Sequence, residues 1–189
     1  MKTILLATNN DRKIGEARLA CELFGLVVEQ VRLKINEIQS HNPEIISKQK
    51  ALTAYATVKK PVVVTDTFWN IPALNGFPGG YMKDIAEWLT SEDFINLVKD
   101  KSDRRISFTE SIVYKDADRL KMFSKEFWGR MVDPPRGSGN SIENIAEFDG
   151  FTLGERRTQG GFSHKPEEYV WIDFAKWFNK LKWYENRRK

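Results

Sequence analysis

The sequence predicts an α/β fold with a central mixed sheet flanked by helices and a long antiparallel hairpin in its second half. Two observations carry this prediction. Short apolar runs alternate with helix-type segments near the start of the 189-residue chain, in the order βαβαβ. Two long strand-type segments then follow each other across the linker KDAD, before a last helix-type segment. We therefore expect one domain over residues 1–189.

The first strand, helix and second strand follow from the spacing of apolar residues. TILLAT, residues 3–8, is a short apolar run that ends in polar residues, as in a buried strand. Asn9 or Asn10 can cap the next helix, and Gly25 is expected to end it. LVVEQVRL, residues 26–33, then reads as the second strand.

The second helix has the strongest start signals in the chain. Asn42 is a favoured cap, Pro43 suits the first helical position, and Glu44 favours the positive end of the helix dipole. PVVVTD, residues 61–66, predicts a buried third strand that ends on an acid. PALNGFPGGY, residues 72–81, predicts a loop because glycine and proline favour turns.

The second half of the chain predicts an antiparallel pair and a terminal helix. RRISFTESIVYKD and RLKMFSKEFWGRMV are the two strands, and DPPRGSGN, residues 133–140, is a loop. The last helix is expected to begin near Pro166. Its apolar face would consist of Val170, Phe174, Trp177 and Leu181.

Composition indicates a globular, weakly basic protein. The chain is 41% hydrophobic and 12% aromatic, with a formal net charge of +4. The basic tail NRRK, residues 186–189, suits a solvated terminus or attraction to an anion. A single cysteine, Cys21, excludes an internal disulfide, favours a reducing compartment and falls at a core-facing position. No apolar run approaches the roughly 20 residues of a membrane span, and no signal peptide is visible. We therefore expect a cytoplasmic protein that is not associated with a membrane.

The stretch ATNNDRK lies where the first strand meets the first helix. Such a junction directs backbone N–H groups and the positive end of the helix dipole at one point. Thr8 and Asn10 add side-chain donors there, and Lys13 adds a full positive charge, so a phosphate chain could be bound. Capped junctions are common, however, and a solvated Lys13 is the alternative.

Two acids follow predicted strands. Asp66 ends the third strand, where ligands bind in open α/β sheets, and its carboxylate could bind Mg²⁺ or accept a proton from water. Glu37, in a loop after the second strand, is a second candidate. A helix cap or a surface acid is the alternative for both.

Further candidates are cationic or lie near the last helix. Lys50 sits on the second helix, where most lysines are simply solvated. FSHK places Ser163, His164 and Lys165 directly before the expected last helix, a position that suits ligand contact, although a lone histidine is more often structural.

The order of these motifs resembles a known family. ATNNDRKIGEA, INEIQ, KQKALTAY, PVVVTDTFWNIPALNGFPGGY, PPRGSG and FSHK together resemble the inosine/xanthosine triphosphate pyrophosphatase family, the Ham1-like proteins, over nearly the whole chain. The resemblance implies an α/β homodimer that uses Mg²⁺ to hydrolyse a nucleoside triphosphate to a nucleoside monophosphate and pyrophosphate.

The resemblance also implies roles for the matching residues. Residues expected to hold the triphosphate are Thr8, Asn10, Lys13 and Lys50. Glu37 would help bind the metal, and Asp66 would bind metal or activate the attacking water. Ser163 and His164 would lie by the base, and Lys165 occupies the position of an arginine in the family motif. Lysine cannot reproduce the planar two-pronged contact of arginine.

The sequence departs from the family pattern mainly where the base would bind. Thr65 replaces a glutamate, which removes one anionic ligand, and Gln159 stands where a lysine is usual. NSIEN, residues 140–144, replaces Phe-Gly-Tyr/Trp-Asp-Pro, so the stacking ring is lost and Glu143 stands near the position of the aspartate. Stacking could come instead from Phe68, Trp69 or Phe162, unless these rings only pack in the interior.

The leading hypothesis is therefore a Mg²⁺-dependent nucleoside triphosphate pyrophosphatase with altered base preference, acting on a ribo- or deoxyribonucleotide, with non-canonical purine nucleotides such as ITP and XTP as candidate substrates. The first alternative is a catalytically weakened relative that binds nucleotides, because Thr65 and residues 140–144 depart from the family. A nucleic-acid-binding module is the third hypothesis, since a basic tail and scattered aromatic residues could form a stacking groove.

Overall fold

A computed structural model describes residues 2–160 and 168–181, and the description below concerns those residues. The strands are β1 (Lys2–Ala7), β2 (Leu26–Val31), β3 (Val62–Ile71), β4 (Phe77–Gly79), β5 (Arg105–Lys115), β6 (Leu120–Met131), β7 (Ala146–Phe148) and β8 (Phe151–Thr152). The helices are α1 (Asp11–Glu22), α2 (Pro43–Val58), α3 (Met82–Trp88), α4 (Ser91–Val98), α5 (Leu153–Thr158) and α6 (Trp171–Lys180). A short 3₁₀ helix, Pro72–Leu74, follows β3.

The strands form a mixed sheet in the order β2-β1-β3-β5-β6-β7-β8, and β4 pairs with β3 outside that path. The pairs β1–β2 and β1–β3 are parallel, and all the others are antiparallel. The long hairpin is β5–β6, which pairs from Arg105 opposite Arg130 to Lys115 opposite Leu120. The expected mixed sheet and hairpin are therefore confirmed.

Local sequence explains the starts of the first two helices. The Asn10 side chain accepts hydrogen bonds from the backbone N–H groups of Arg12 and Lys13, so Asn10 is the cap of α1. The Asn42 side chain accepts one from the N–H of Glu44, and Pro43 takes the first position of α2. Both helices thus start at the residues that the sequence indicates.

Two apolar clusters lie on one face of the sheet and are separated by polar residues. One cluster joins α1 and α6 to the sheet and includes Ile112 of β5, whereas the other includes Trp69 and Phe108. Directly opposite residues of an antiparallel pair share a face, so Thr67 and its partner Glu110 lie between the two clusters. Helix α2 packs on the other face through a third cluster. The polar gap on the first face is part of the site described below.

Several expected boundaries are wrong. Strand β3 does not end at Asp66 but continues to Ile71, because its distal residues pair with β5 on one edge and with β4 on the other. The expected loop at residues 72–81 contains the 3₁₀ helix and β4. The last helix, α6, begins at Trp171 rather than near Pro166, which itself lies outside the described residues.

Smaller differences affect α1 and β2. Helix α1 ends at Glu22, and Gly25, with a φ of +66°, lies in the turn that follows rather than at the helix end. Strand β2 ends at Val31. Cys21 is buried in the core, as expected. Within residues 2–160 and 168–181, no helix combines the length and apolar character needed to cross a membrane.

Candidate active site

The site begins at a gap along one edge of β3. On that edge β3 pairs with β1 as far as Val64, and with β4 again from Trp69. The four residues between them, Thr65 to Phe68, have no strand partner on that edge among residues 2–160 and 168–181, although β5 covers the opposite edge throughout. A gap of this kind at the carboxyl end of a parallel strand is where α/β sheets bind ligands.

Helix α1 directs a lysine into this gap. Lys13 Nζ donates a hydrogen bond to the Thr65 carbonyl at 3.4 Å and lies 3.8 Å from Asp66 Oδ1. At the start of the helix, Thr8 Oγ1 accepts from the Asn10 N–H at 3.1 Å. The Thr8 and Asn10 oxygens are thus used in capping, while the Thr8 hydroxyl proton and the Asn10 amide N–H groups remain able to donate to a ligand.

Helix α2 brings a second lysine to the same place. Lys50 Nζ lies 3.3 Å from Asp66 Oδ2 and 2.7 Å from Glu37 Oε1. The Thr67 N–H donates to Asp66 Oδ1 at 3.0 Å, which holds the carboxylate in place. Lys13, Lys50, Asp66 and Glu37 therefore form one continuous chain of alternating charges.

The two lysines differ in their electrostatic surroundings. Their side chains are only 15% and 14% exposed. Burial lowers the pKa of Lys13, and the attraction of Asp66 does not fully offset it. Burial also acts to lower the pKa of Lys50, but Asp66 and Glu37 outweigh it and the pKa is raised. Lys13 is therefore the cation whose charge is less completely compensated by the protein, and an anionic ligand would stabilise it.

Glu37 and Asp66 are the carboxylates that could hold a metal here. Their side chains are 40% and 16% exposed and both line the cavity. In the described ranges, no three acidic, histidine or cysteine side chains cluster closely enough to hold a metal by themselves. Magnesium commonly binds one or two protein carboxylates and completes its shell with phosphate oxygens and water. This donor set fits that pattern and needs a phosphate ligand.

The chain of charges opens into a cavity of about 900 Å³. The lining of the same cavity includes Trp69, Phe108, Glu110 and Arg157, which together are called its second region below. Trp69 packs against Phe108 with the ring centroids 5.2 Å apart, and is 5% exposed. The ring of Phe68 is also buried but does not line this cavity, and Phe162 lies outside the described residues. Of the two candidate stacking rings within the described residues, Trp69 is the one that lies in the cavity wall.

Residues 140–144 fold into a turn at the rim of this second region. Asn140 Oδ1 accepts from the Glu143 N–H at 3.0 Å, and Glu143 Oε2 accepts from the Asn140 N–H at 3.1 Å. Arg157 Nη2 lies 3.1 Å from Glu143 Oε1. Glu143 is thus held by the protein from both sides.

The structure brings most of the expected site residues together. Those that line the cavity are Thr8, Asn10, Lys13, Glu37, Lys50 and Asp66. The expected base-side residues Ser163, His164 and Lys165 lie outside the described residues.

Sequence reasoning missed Arg12, Glu110 and Arg157, which also line the cavity. A usable signal exists for Glu110, because it is an acid in the middle of the otherwise buried strand segment ISFTESIV. Arg12 and Arg157 gave no such signal, since charged residues are ordinary on helices.

Fold and site together define a class of protein: an α/β protein whose cleft gathers two lysines and two carboxylates around space for a polyanion. Comparison with known sequences places the chain within that class. The Ham1 family profile matches residues 4–143, and the chain belongs to the Ham1 family.

Named relatives agree with this assignment, and a solved structure shares the fold. The chain is 39% identical over 137 residues to inosine triphosphate pyrophosphatase 2 of Trypanosoma cruzi, covering 72% of this chain and 69% of that one. It is 30% identical over 169 residues to a dITP/XTP pyrophosphatase of Hyperthermus butylicus, covering 87% and 89%. The fold matches a HAM1 protein from Coxiella burnetii with a TM-score of 0.78 at 21% identity, over 96% of this chain and 100% of that one.

Proposed function

We propose that this protein is a nucleoside triphosphate pyrophosphatase that hydrolyses an NTP or dNTP to the nucleoside monophosphate and pyrophosphate. The observation that carries the proposal is the convergence of Lys13 and Lys50 on Asp66 at the edge of one large cavity. The names of the relatives, inosine triphosphate pyrophosphatase and dITP/XTP pyrophosphatase, support the same reaction.

The two lysines act on the phosphate chain. Phosphoryl transfer depends chiefly on positioning and on neutralising charge, and both lysines are already held in place before a ligand arrives. Lys50 stays charged because Asp66 and Glu37 raise its pKa. Lys13, whose ion pair with Asp66 is the longer one at 3.8 Å, can turn to the phosphate oxygens at little cost.

Asp66 orients the attacking water. Its carboxylate is fixed by the Thr67 N–H and lies between the two lysines, so it can accept a hydrogen bond from a water placed beside the bound phosphate. In this scheme the water proton passes to Asp66 as the water oxygen attacks phosphorus. The charge that develops on the pyrophosphate leaving group is neutralised by Lys13 and Lys50.

Magnesium is the proposed cofactor. Glu37 and Asp66 would hold it, and when bound it supplies further positive charge to the phosphate oxygens. Thr65 stands where the family resemblance implies another glutamate, so the chain offers one fewer anionic group at this point than expected. At this site the metal would therefore depend strongly on phosphate oxygens of the substrate for its remaining ligands.

The proposed specificity differs from that of the named relatives. Residues 140–144 form a turn closed by reciprocal bonds and an ion pair, with no aromatic ring among them. A site that hydrogen-bonds particular polar atoms strongly rejects ligands that lack those atoms. A change in the polar residues of the lining should therefore change the preferred base.

Organisation and location complete the proposal. Residues 1–189 act as one domain, supported by the single sheet that joins the elements described. A homodimer is supported only by the family resemblance, and light scattering on the purified protein tests it. A cytoplasmic location is supported by the single cysteine.

A substrate screen with a matched control tests the proposed reaction. The purified protein is incubated with Mg²⁺ and each canonical and deaminated NTP and dNTP, and pyrophosphate is measured. We expect release from at least one nucleotide, strong loss in Asp66→Asn, and no loss in Glu29→Gln, an exposed acid on β2 that lies outside the cavity lining. Thermal stabilisation by a nucleotide without any turnover would instead favour the non-catalytic alternative.

A further inference from the structure

Glu110 is a buried acid that the reaction scheme above leaves without a role. It lies in the middle of β5, directly opposite Thr67 of β3, and is 8% exposed. The residues on either side of it on the same face are Phe108 and Ile112, which belong to the two apolar clusters. Glu110 therefore lies between these two clusters, and its side chain lines the cavity.

Glu110 differs from the other acids around it because no described residue donates a hydrogen bond to its carboxylate. Glu16 is 3.1 Å from Arg12 Nη1, and Glu143 is bonded to Arg157 and to a backbone N–H. Within residues 2–160 and 168–181, no side chain or backbone group donates a hydrogen bond to the Glu110 carboxylate. Its oxygens are thus available to a ligand in the cavity.

A buried carboxylate without a donor is unfavourable. Burial raises the pKa of Glu110 to about 7, and repulsion from Glu16 adds to this, whereas Arg12, Lys13 and Arg157 oppose it. A ligand that donates N–H groups to this carboxylate would supply the missing hydrogen bonds and would be selected for doing so.

Glu110 lies on the opposite face of the sheet from Asp66. Successive strand residues face opposite sides of the sheet, so Asp66, opposite Ser111, faces α2 and Lys50, whereas Glu110 faces α1. Its neighbours in the cavity wall are the rings of Trp69 and Phe108. If the base of a triphosphate held by the lysines enters the part of the cavity lined by these rings, it lies next to Glu110.

We propose that Glu110 is a specificity-determining residue that accepts hydrogen bonds from the N–H edge of the substrate base. The two oxygens of a carboxylate match two adjacent donors, so the favoured class is a 6-oxopurine with an imino N–H and a neighbouring amino group. A 6-oxopurine that has the imino N–H but no neighbouring amino group would donate to only one of the two carboxylate oxygens. The inference rests on the proposed function, since it assumes a nucleoside triphosphate in the cavity.

The test compares two bases in the wild type and in Glu110→Gln, which keeps the shape but replaces one acceptor oxygen by a donor. The values of kcat/KM for GTP and ITP are measured at pH 8.5, together with the dissociation constants of their non-hydrolysable α,β-methylene analogues. We expect the wild type to prefer the guanine nucleotide at least about 10-fold, and Glu110→Gln to lower that ratio at least about 10-fold. Glu29→Gln, on exposed β2, should leave the ratio unchanged.

The outcomes separate the two proposals. An unchanged ratio in a folded Glu110→Gln protein, in both turnover and binding, would overturn the role of Glu110. A change in the ratio of ribo- to deoxyribonucleotides without a change between bases would also overturn it, because Glu110 would then contact the sugar. If no nucleotide is hydrolysed but the analogues still bind with a ratio that Glu110→Gln lowers, the proposed reaction fails and the role of Glu110 stands.

Discussion

Replacing Glu110 by glutamine should stabilise the protein at high pH and do little at low pH. The carboxyl pKa is raised from 4.5 in the reference state to about 7 in the fold. A carboxyl group whose pKa is raised holds its proton more tightly in the folded protein than in the unfolded chain. Its contribution to stability is therefore fully present below pH 4.5. That contribution is lost as the pH rises through 7. Glutamine is always neutral and avoids this loss.

The size of the effect follows from the shift. At about 1.4 kcal/mol per pH unit of pKa difference, the ionised Glu110 costs the folded state on the order of 3 kcal/mol above pH 8. At pH 5 the same relation leaves a cost below about 1 kcal/mol. The free energy of unfolding of Glu110→Gln, relative to the wild type, should therefore increase by about 2 to 3 kcal/mol between pH 5 and pH 8.5. The other titrating groups are the same in both proteins, so their contributions largely cancel in the difference between the two free energies of unfolding.

Urea denaturation followed by tryptophan fluorescence at pH 5, 6, 7 and 8.5 measures this difference. Glu29→Gln, a substitution of the same chemistry on exposed β2, provides the control and should show no such trend. A difference between Glu110→Gln and the wild type that is constant over this range would refute the reasoning. It would mean that the carboxylate is solvated or paired in the folded protein.

Further predictions concern the lysine and carboxylate groups and the cysteine. Asp66→Asn, nearly isosteric, should reduce turnover by about 100-fold or more with the circular dichroism unchanged, because an amide cannot take up the proton of the attacking water. Lys13→Ala should reduce kcat by about 100-fold or more, because it removes a positive charge that neutralises the developing pyrophosphate. If either variant turns over at the wild-type rate, the role given to that residue is wrong. Chelation by EDTA should abolish turnover and added Mg²⁺ restore it, whereas activity that persists in EDTA would exclude the proposed metal. Cys21 is buried and its pKa is raised to about 12, so a thiol reagent should label it only after unfolding in urea, and rapid labelling of the native protein would contradict its burial.

The fold could be predicted from the sequence where local signals are strong. Asn42 and Pro43 define the start of α2 because capping and proline geometry are properties of a few neighbouring residues. The end of β3 could not be located in this way. The residues after Asp66 continue as a strand because β4 and β5 pair with them, and such pairing depends on distant parts of the chain.

The candidate site shows the same division. The residues themselves indicate Lys13 and Asp66, the family resemblance adds Lys50, and the structure places all three at the gap in β3. Glu110 could not be assigned to the cavity from the sequence, because the face it occupies depends on the register of β5 against β3. The same register places it opposite Thr67, on the face of the sheet away from the Asp66 side chain.

A structure of the protein with a non-hydrolysable nucleoside triphosphate and Mg²⁺ tests the central claim most directly. The account predicts a triphosphate in contact with both Lys13 and Lys50, and a metal that Glu37 and Asp66 help to hold. It also predicts a base on the α1 side of β3, next to Glu110. A nucleotide bound elsewhere, or one whose phosphates contact neither lysine, would contradict it.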